Sequence, residues 1–189
     1  MAHAGEKILL LNEQTLELQD DVLLIADECH PLAVAGIMGG EESGITPETR
    51  EIFLESAFFA PAAVTGRARR YGFSSDASYR FERGVDFGSA RLALERATRL
   101  ILDICGGQAG PVSEATAALP VRSPIRLRPA RVTKVLGIAI AGEEIGNILQ
   151  RLNLPFVRDG ENFTVTPPSY RFDIEIEEDL IEEIGRAHV

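Results

Sequence analysis

The sequence contains no tryptophan, two cysteines, two methionines and three histidines in 189 residues. Each scarcity excludes something. Cys29 and Cys105 cannot build a disulfide framework, and no CxxC pair is present for a structural zinc site. His3, His30 and His188 are scattered along the chain and suggest no spaced ligand set. Sparse thiols fit a reducing compartment, so the expected location is the cytoplasm. No apolar run reaches about 18 residues, and no membrane-spanning helix is expected. The N-terminus has no charged segment leading into an apolar core, so no secretory signal is expected either.

Basic charge is also in short supply, with 19 Lys and Arg against 29 Asp and Glu for a formal net charge of −10. That excludes a simple polycation that wraps nucleic acid by charge alone. The average hides a gradient. Residues 1–120 hold 10 basic and 18 acidic side chains, residues 121–160 hold 7 and 3, and residues 161–189 hold 2 and 8. A basic block is followed at once by an acidic one, which a uniformly solvated surface would not give. At 45% hydrophobic residues the chain can bury a sizeable core.

The local patterns predict an α+β chain. The short apolar runs 7–11 and 22–26 read as strands. Residues 31–46 begin as a small-residue strand and become a glycine-rich turn, and 50–59 reads as a further strand. A helix is predicted over 61–72, opened by Pro61 and stopped by Gly72. Residues 74–86 are polar and give no clear assignment. Apolar residues at 92, 94, 97, 100, 101, 104 and 105 predict an amphipathic helix over 88–107, closed by a Gly-Gly cap. The Ala-, Pro- and Ser-rich stretch 109–124 reads as a connector. Beyond it come a strand or entry segment (125–129), helices over 131–137 and 142–153, a hairpin over 156–168 turning at Asp159-Gly160, and a last helix over 174–186. Ile145, Ile148, Leu149 and Leu152 share one helical face. This order suggests a small winged-helix-like unit.

Several motifs admit two readings. Gly36-Ile37-Met38-Gly39-Gly40 is neither GxxxxGK[ST] nor GxGxxG, so it reads as a tight turn where backbone must approach something closely rather than as a nucleotide loop. Glu55 lies inside the apolar FLESAFF. Strand alternation would put Phe53, Glu55 and Ala57 on one face, where a carboxylate needs a partner or a raised pKa; the alternative is an edge residue facing water. Arg67, Arg69, Arg70, Arg80 and Arg83 surround Ser-Ser-Asp-Ala-Ser, giving either an anion grip or a surface salt-bridged to Asp76, Glu82 and Asp86. Asp173, Glu175, Glu177, Glu178, Asp179, Glu182 and Glu183 crowd seven carboxylates into eleven positions. Asp179, Glu182 and Glu183 stand at i, i+3 and i+4, where like charges repel unless a cation sits among them. That cation could be Mg²⁺, which prefers oxygen ligands, or an Arg or Lys from a partner. Otherwise the segment is a solvated acidic face.

GIMGGEESGIT (36–46), IFLESAFFAPAAVTGRARRYGFSSDASYRFERGVD (52–86), RATRLILDICGGQAGPV (96–112) and PPSYRFDIEIEEDLIEEIGR (167–186) resemble, in order, the beta subunit of bacterial phenylalanyl-tRNA synthetases. The resemblance implies a chain covering only part of such a subunit. Residues 1–120 would be the C-terminal part of a β-rich editing module, and 121–189 the small winged-helix-like module that follows. The whole enzyme joins phenylalanine to tRNA(Phe) using ATP and Mg²⁺, as an alpha2-beta2 tetramer, and hydrolyses mischarged tyrosyl-tRNA(Phe) in the editing module. ATP is bound by the whole enzyme, not by this stretch. The resemblance places Glu55 in the editing pocket as the carboxylate that recognises the tyrosine phenol. Gly36 and Gly39 line that pocket, Ala77 leaves room for the ring, and Ser75 stands where other members carry threonine. It also assigns Asp173, Asp179, Glu182 and Glu183 to Mg²⁺ near the contact with the alpha subunit. Arg122, Arg126, Arg128, Arg131 and Lys134 form a basic patch that either touches tRNA or holds modules together. The alternative to an editing role is a module that does no chemistry alone and only docks RNA or a partner subunit.

Overall fold

The computed structural model describes residues 1–188 and divides the chain into two compact units, Met1–Val112 and Ser113–Val189. The first opens with a hairpin of β1 (Lys7–Leu9) and β2 (Thr15–Glu17), in which Ile8 faces Leu16. β3 (Leu24–Ala26), β4 (Pro31–Val34) and β5 (Met38–Gly39) pair antiparallel in chain order, and a bridge between Leu10 and Gly40 ties them to the hairpin. Period-2 alternation drives this: Ile8, Leu10, Leu16 and Leu18 are buried while Lys7, Thr15 and Glu17 face solvent. β2 went unpredicted because its signal is only two buried leucines among polar residues.

Two predicted elements differ from the structure. Residues 50–59 form no strand, and Phe53 is 90% exposed rather than on an inward face. An extended run becomes a strand only through a ladder partner, and no described strand pairs with it. The helix predicted over 61–72 is broken into α1 (Pro61–Val64) and α2 (Arg67–Arg70). Gly66 between them adopts φ +77°, outside the helical region, and its N–H donates to Glu82 Oε1 at 3.1 Å.

The unassigned 74–86 contains α3 (Asp76–Arg83), started by a capping box in which Ser75 Oγ accepts from Ser78 N at 3.0 Å and Ser78 Oγ accepts from Ser75 N at 3.0 Å. α4 (Ala90–Cys105) forms as predicted and ends at Gly106, φ +74°. None of its residues is buried, however, and Leu92 and Ile104 are 70% and 79% exposed. The core of this unit lies between the strands and α1–α3: Leu10, Leu18, Val22, Val34, Ile37 and Val64, with Phe59, Tyr71, Phe73 and Phe81 packed against them.

Residues 109–124 contain neither helix nor strand, as their composition predicts. In the second unit β6 (Ile125–Leu127), β8 (Asn162–Val165) and β7 (Phe156–Asp159) form an antiparallel sheet in the order β6-β8-β7. The β7–β8 turn uses Gly160 at φ +60°. α5 (Pro129–Leu136), α6 (Gly142–Arg151) and α7 (Glu177–His188) complete the winged-helix-like arrangement. Ile145, Ile148 and Leu149 of α6 are fully buried against Leu127, Val132, Phe163, Ile174, Leu180, Ile181 and Ile184; Leu152 is partly buried beside them. Among the described residues no helix is long and apolar enough to cross a membrane.

Candidate functional site

The sharp turn from β4 to β5 and the irregular segment before α1 together wall a cavity of about 370 Å³. Gly36, Gly39, Glu55 and Ala77 all line it, with Ile25, Met38, Ala57, Phe59 and Phe81 supplying apolar surface. Four of the five residues that the resemblance assigns to the pocket therefore meet at one place. Gly36 is required there twice over. Its φ is +67°, and a Cβ would lie 3.1 Å from Phe59 Cδ2, 3.1 Å from Phe81 Cγ and 3.2 Å from a Val64 methyl. At Gly39 a Cβ would meet Leu11 Cδ1 at 3.1 Å.

Ser75 does not line the cavity. It caps α3, and its hydroxyl donates to the Ile37 carbonyl at 2.6 Å, holding the turn against the helix that carries Ala77. Its place beside the site was legible; its action through the backbone was not, because a capping box reads the same wherever a helix starts.

Glu55 stands at the cavity's rim. Its residue surface is largely exposed, yet its carboxyl is crowded enough that desolvation raises its pKa above the ordinary value. The upward direction follows from the apolar walls, and the remaining exposure keeps the effect small. Among the described residues Glu55 has no hydrogen-bond or ion-pair partner. The result is a carboxylate acceptor, unpaired, at the mouth of an apolar cavity with room for an aromatic ring.

The arginines around α2 and α3 do not grip one anion. Arg70 makes a two-pronged contact with Asp21, Nη1 to Oδ1 at 2.6 Å and Nη2 to Oδ2 at 2.8 Å, and Arg67 reaches the same carboxylate at 3.2 Å. The ion-pair partner of this patch is thus Asp21, not Asp76, Glu82 or Asp86. The Arg70 bond and the Arg67 charge hold the Asp21 carboxyl below its usual range. Arg83 lies over the Tyr79 ring, 3.6 Å from its centroid.

In the second unit the basic and acidic blocks pair with each other. Arg128 Nη2 meets Glu177 Oε2 at 2.5 Å and Arg131 Nη2 meets Glu178 Oε1 at 2.7 Å. These arginines depress the pKa of both glutamates. Arg122 Nη2 donates to the carbonyls of Arg171 and Ile174, the latter at 2.8 Å. Three of the five patch residues are therefore spent inside the unit; Arg126 and Lys134 are exposed.

The four residues assigned to Mg²⁺ are each held by groups of this chain. Arg171 bridges Asp173 (Nη2 to Oδ2, 2.7 Å) and Glu183 (Nη2 to Oε1, 3.0 Å), and lowers the Asp173 pKa. Asp179 Oδ2, in the first turn of α7, reaches back to accept the N–H groups of Glu175 and Ile176 at 2.8 and 2.9 Å. Glu182 faces Arg186 at 3.4 Å. Of the i, i+3, i+4 set, Glu183 and Glu182 thus meet arginines of this same chain, Arg171 and Arg186, and Asp179 meets backbone N–H groups.

One cluster escaped the sequence reading. The turn between β3 and β4 gathers Asp27, Cys29 and His30, with ligand atoms all within 4.8 Å of one another. His30 is not isolated from other donors, as its wide separation from His3 and His188 had suggested; its partners are its sequence neighbours.

Comparison with known proteins agrees with this architecture. The B3/4 domain family matches residues 1–106 and the tRNA synthetase B5 domain family matches residues 125–188. The chain is similar to the phenylalanine–tRNA ligase beta subunit of Dechloromonas aromatica, with 67% identity over 188 residues, covering all of this chain and 24% of that protein. The corresponding subunit of Chromobacterium violaceum is 62% identical over 187 residues, 99% of this chain and 24% of that one. That of Bordetella pertussis is 55% identical over 187 residues, 99% and 23%. The chain thus spans about a quarter of the length of the curated relatives it matches. With a B3/4 domain followed by a B5 domain and identity of this level along its whole length, the chain belongs to the phenylalanine–tRNA ligase beta-subunit family.

Proposed function

We propose that the first unit contributes the tyrosine-recognising part of an editing pocket in a phenylalanine–tRNA ligase, and that the second contributes to the contact with the alpha subunit. The observation that carries the editing reading is the convergence of Glu55, Gly36, Gly39 and Ala77 on one apolar cavity. An apolar phenylalanine pocket cannot strongly reject tyrosine, which only adds a hydroxyl, so a ligase of this kind needs a second site that reads the hydroxyl. The Glu55 carboxylate does so by accepting the phenol O–H. Phenylalanine offers no donor and gains only ring contacts, so the discrimination is one charged hydrogen bond, worth about 1.5–3 kcal/mol. The ring lies against Phe59, Phe81 and the turn at Gly36, where any Cβ would crowd the aromatic walls. In this reading the hydrolytic water is positioned by backbone groups and by the tRNA end itself.

ATP, tRNA(Phe), the alpha subunit and the alpha2-beta2 assembly belong to the whole enzyme. Oxygen donors suit Mg²⁺, but Arg171 holds two of the four assigned carboxylates and backbone N–H groups hold a third. As placed, they do not fit a shared ion, and no step is routed through one. The pairing of Arg122, Arg128 and Arg131 inside the unit favours a structural role for most of the basic patch. A direct test of the editing reading is binding of non-hydrolysable tyrosyl- and phenylalanyl-adenosine analogues to the assembled enzyme. Preference for the tyrosyl analogue that disappears in Glu55→Ala supports it. Equal binding in both proteins favours a module that only docks RNA or a partner.

A further inference from the structure

The β3–β4 turn carries the three donor types that select zinc-class metals. Asp27, Cys29 and His30 lie within four residues, and a thiolate or thiol sulfur, an imidazole nitrogen and a carboxylate oxygen fall within 4.8 Å of one another. The turn is organised by Asp27: its Oδ1 accepts the N–H of Cys29 and of His30, both at 2.7 Å. These bonds fix the backbone so that Cys29 and His30 leave the turn on the side of the carboxylate, and they leave Oδ2 for another partner. His30 Nδ1 is 4.0 Å from Asp27 Oδ1. Cys29 is a free, exposed thiol, and the His30 and Asp27 side chains are 70% and 52% exposed.

We propose that this turn is a binding site for one divalent metal ion of the zinc class, held by Cys29 Sγ, a His30 ring nitrogen and the Asp27 carboxylate, with solvent in the remaining position. A tetrahedral ion with bonds of about 2.0–2.3 Å needs its ligands roughly 3.5 Å apart. Closing from the present spacing takes about 1 Å of side-chain rotation, and no buried residue moves because all three side chains are exposed. The donor set is chemically distinct from the carboxylates of α7: sulfur and imidazole favour Zn²⁺ or Co²⁺ over Mg²⁺. It is also separate from the Glu55 cavity, whose lining includes none of the three residues. The proposal therefore does not depend on the editing reading.

Cobalt is the probe, because its bond to a thiolate gives a near-ultraviolet charge-transfer absorption. Co²⁺ is titrated into the 189-residue chain, followed by Zn²⁺. The proposal predicts a band that saturates at one equivalent and bleaches when Zn²⁺ displaces Co²⁺. The band is absent in Cys29→Ser and intact in Cys105→Ser, since these are the only two cysteines. His30→Ala and Asp27→Asn weaken the affinity roughly tenfold or more. Asp27→Asn keeps an oxygen for the two backbone N–H groups, and far-ultraviolet circular dichroism confirms that each variant is folded. The absence of a band, its survival in Cys29→Ser, its loss in Cys105→Ser, or full affinity in His30→Ala and Asp27→Asn would overturn the proposal.

Discussion

The Ser75 hydroxyl donates to the carbonyl of Ile37 at 2.6 Å while accepting the N–H of Ser78 at 3.0 Å. One side chain thus fastens the glycine-rich turn to the start of α3 and closes the helix's first turn. Ser75→Ala removes both bonds and is expected to destabilise the first unit by about 1–2 kcal/mol, measured by urea denaturation. Ser75→Thr keeps the hydroxyl and is expected to retain most of that stability.

Gly36 tests the shape of the turn. Gly36→Ala places a methyl group in a left-handed backbone position and against Phe59, Phe81 and Val64. Strain and overpacking add, so a loss of about 2–4 kcal/mol is expected in the same assay. Gly72, also at positive φ but with no atom within 4 Å of a Cβ, carries only the backbone cost, about 1 kcal/mol.

Glu55 has a pH signature independent of its function. Its folded pKa lies above the ordinary carboxylate value because its surroundings disfavour charge. A raised carboxylate pKa means that the folded state binds the proton more tightly. Its contribution is favourable at low pH and is lost as pH rises through the folded pKa. Glu55→Gln is therefore expected to raise the melting temperature slightly at pH 7 and not at pH 3. Solvent at the rim keeps this gain small.

The second unit behaves in the opposite sense. Asp173, Glu177 and Glu178 have lowered pKa values because Arg171, Arg128 and Arg131 bond their charged forms. Their stabilisation is present above the ordinary carboxylate range, about pH 4, and is lost as pH falls below it. Amide protection in α7, relative to the intrinsic exchange rate at each pH, is expected to fall on acidification before that in the β1–β2 hairpin. Arg171→Ala leaves Asp173 and Glu183 without their shared cation and is expected to cost about 1–3 kcal/mol at pH 7 and little at pH 3.

Much of the second unit was legible because local signals agree there. Asp159-Gly160 marks its hairpin, Gly137 its helix stop, and the spacing of Ile145, Ile148 and Leu149 its buried face. The first unit was less so. The run around Phe53 carries strand composition, but strand formation depends on a partner that composition does not specify. Gly66 broke a helix that Pro61 and Gly72 bracket plausibly. At the site, Glu55, Gly36, Gly39 and Ala77 came from family resemblance, since an acid among phenylalanines fits an edge strand as well. The pairing of Arg128 with Glu177 and of Arg131 with Glu178, 49 and 47 residues apart, was visible only as adjacent blocks of opposite charge. Asp27, Cys29 and His30 stand in no recognised ligand spacing, and in sequence they do not differ from an ordinary polar turn.

The measurement closest to the central claim is hydrolysis of tyrosyl-tRNA(Phe) and of phenylalanyl-tRNA(Phe) by the assembled enzyme, with and without Glu55→Ala. The claim that Glu55 reads the tyrosine hydroxyl predicts that the substitution lowers kcat/KM for tyrosyl-tRNA(Phe) by about 10- to 100-fold. Hydrolysis of phenylalanyl-tRNA(Phe) should stay the same or rise, and aminoacylation should be unchanged. An equal fall for both substrates, or no change for the tyrosyl substrate, would contradict it.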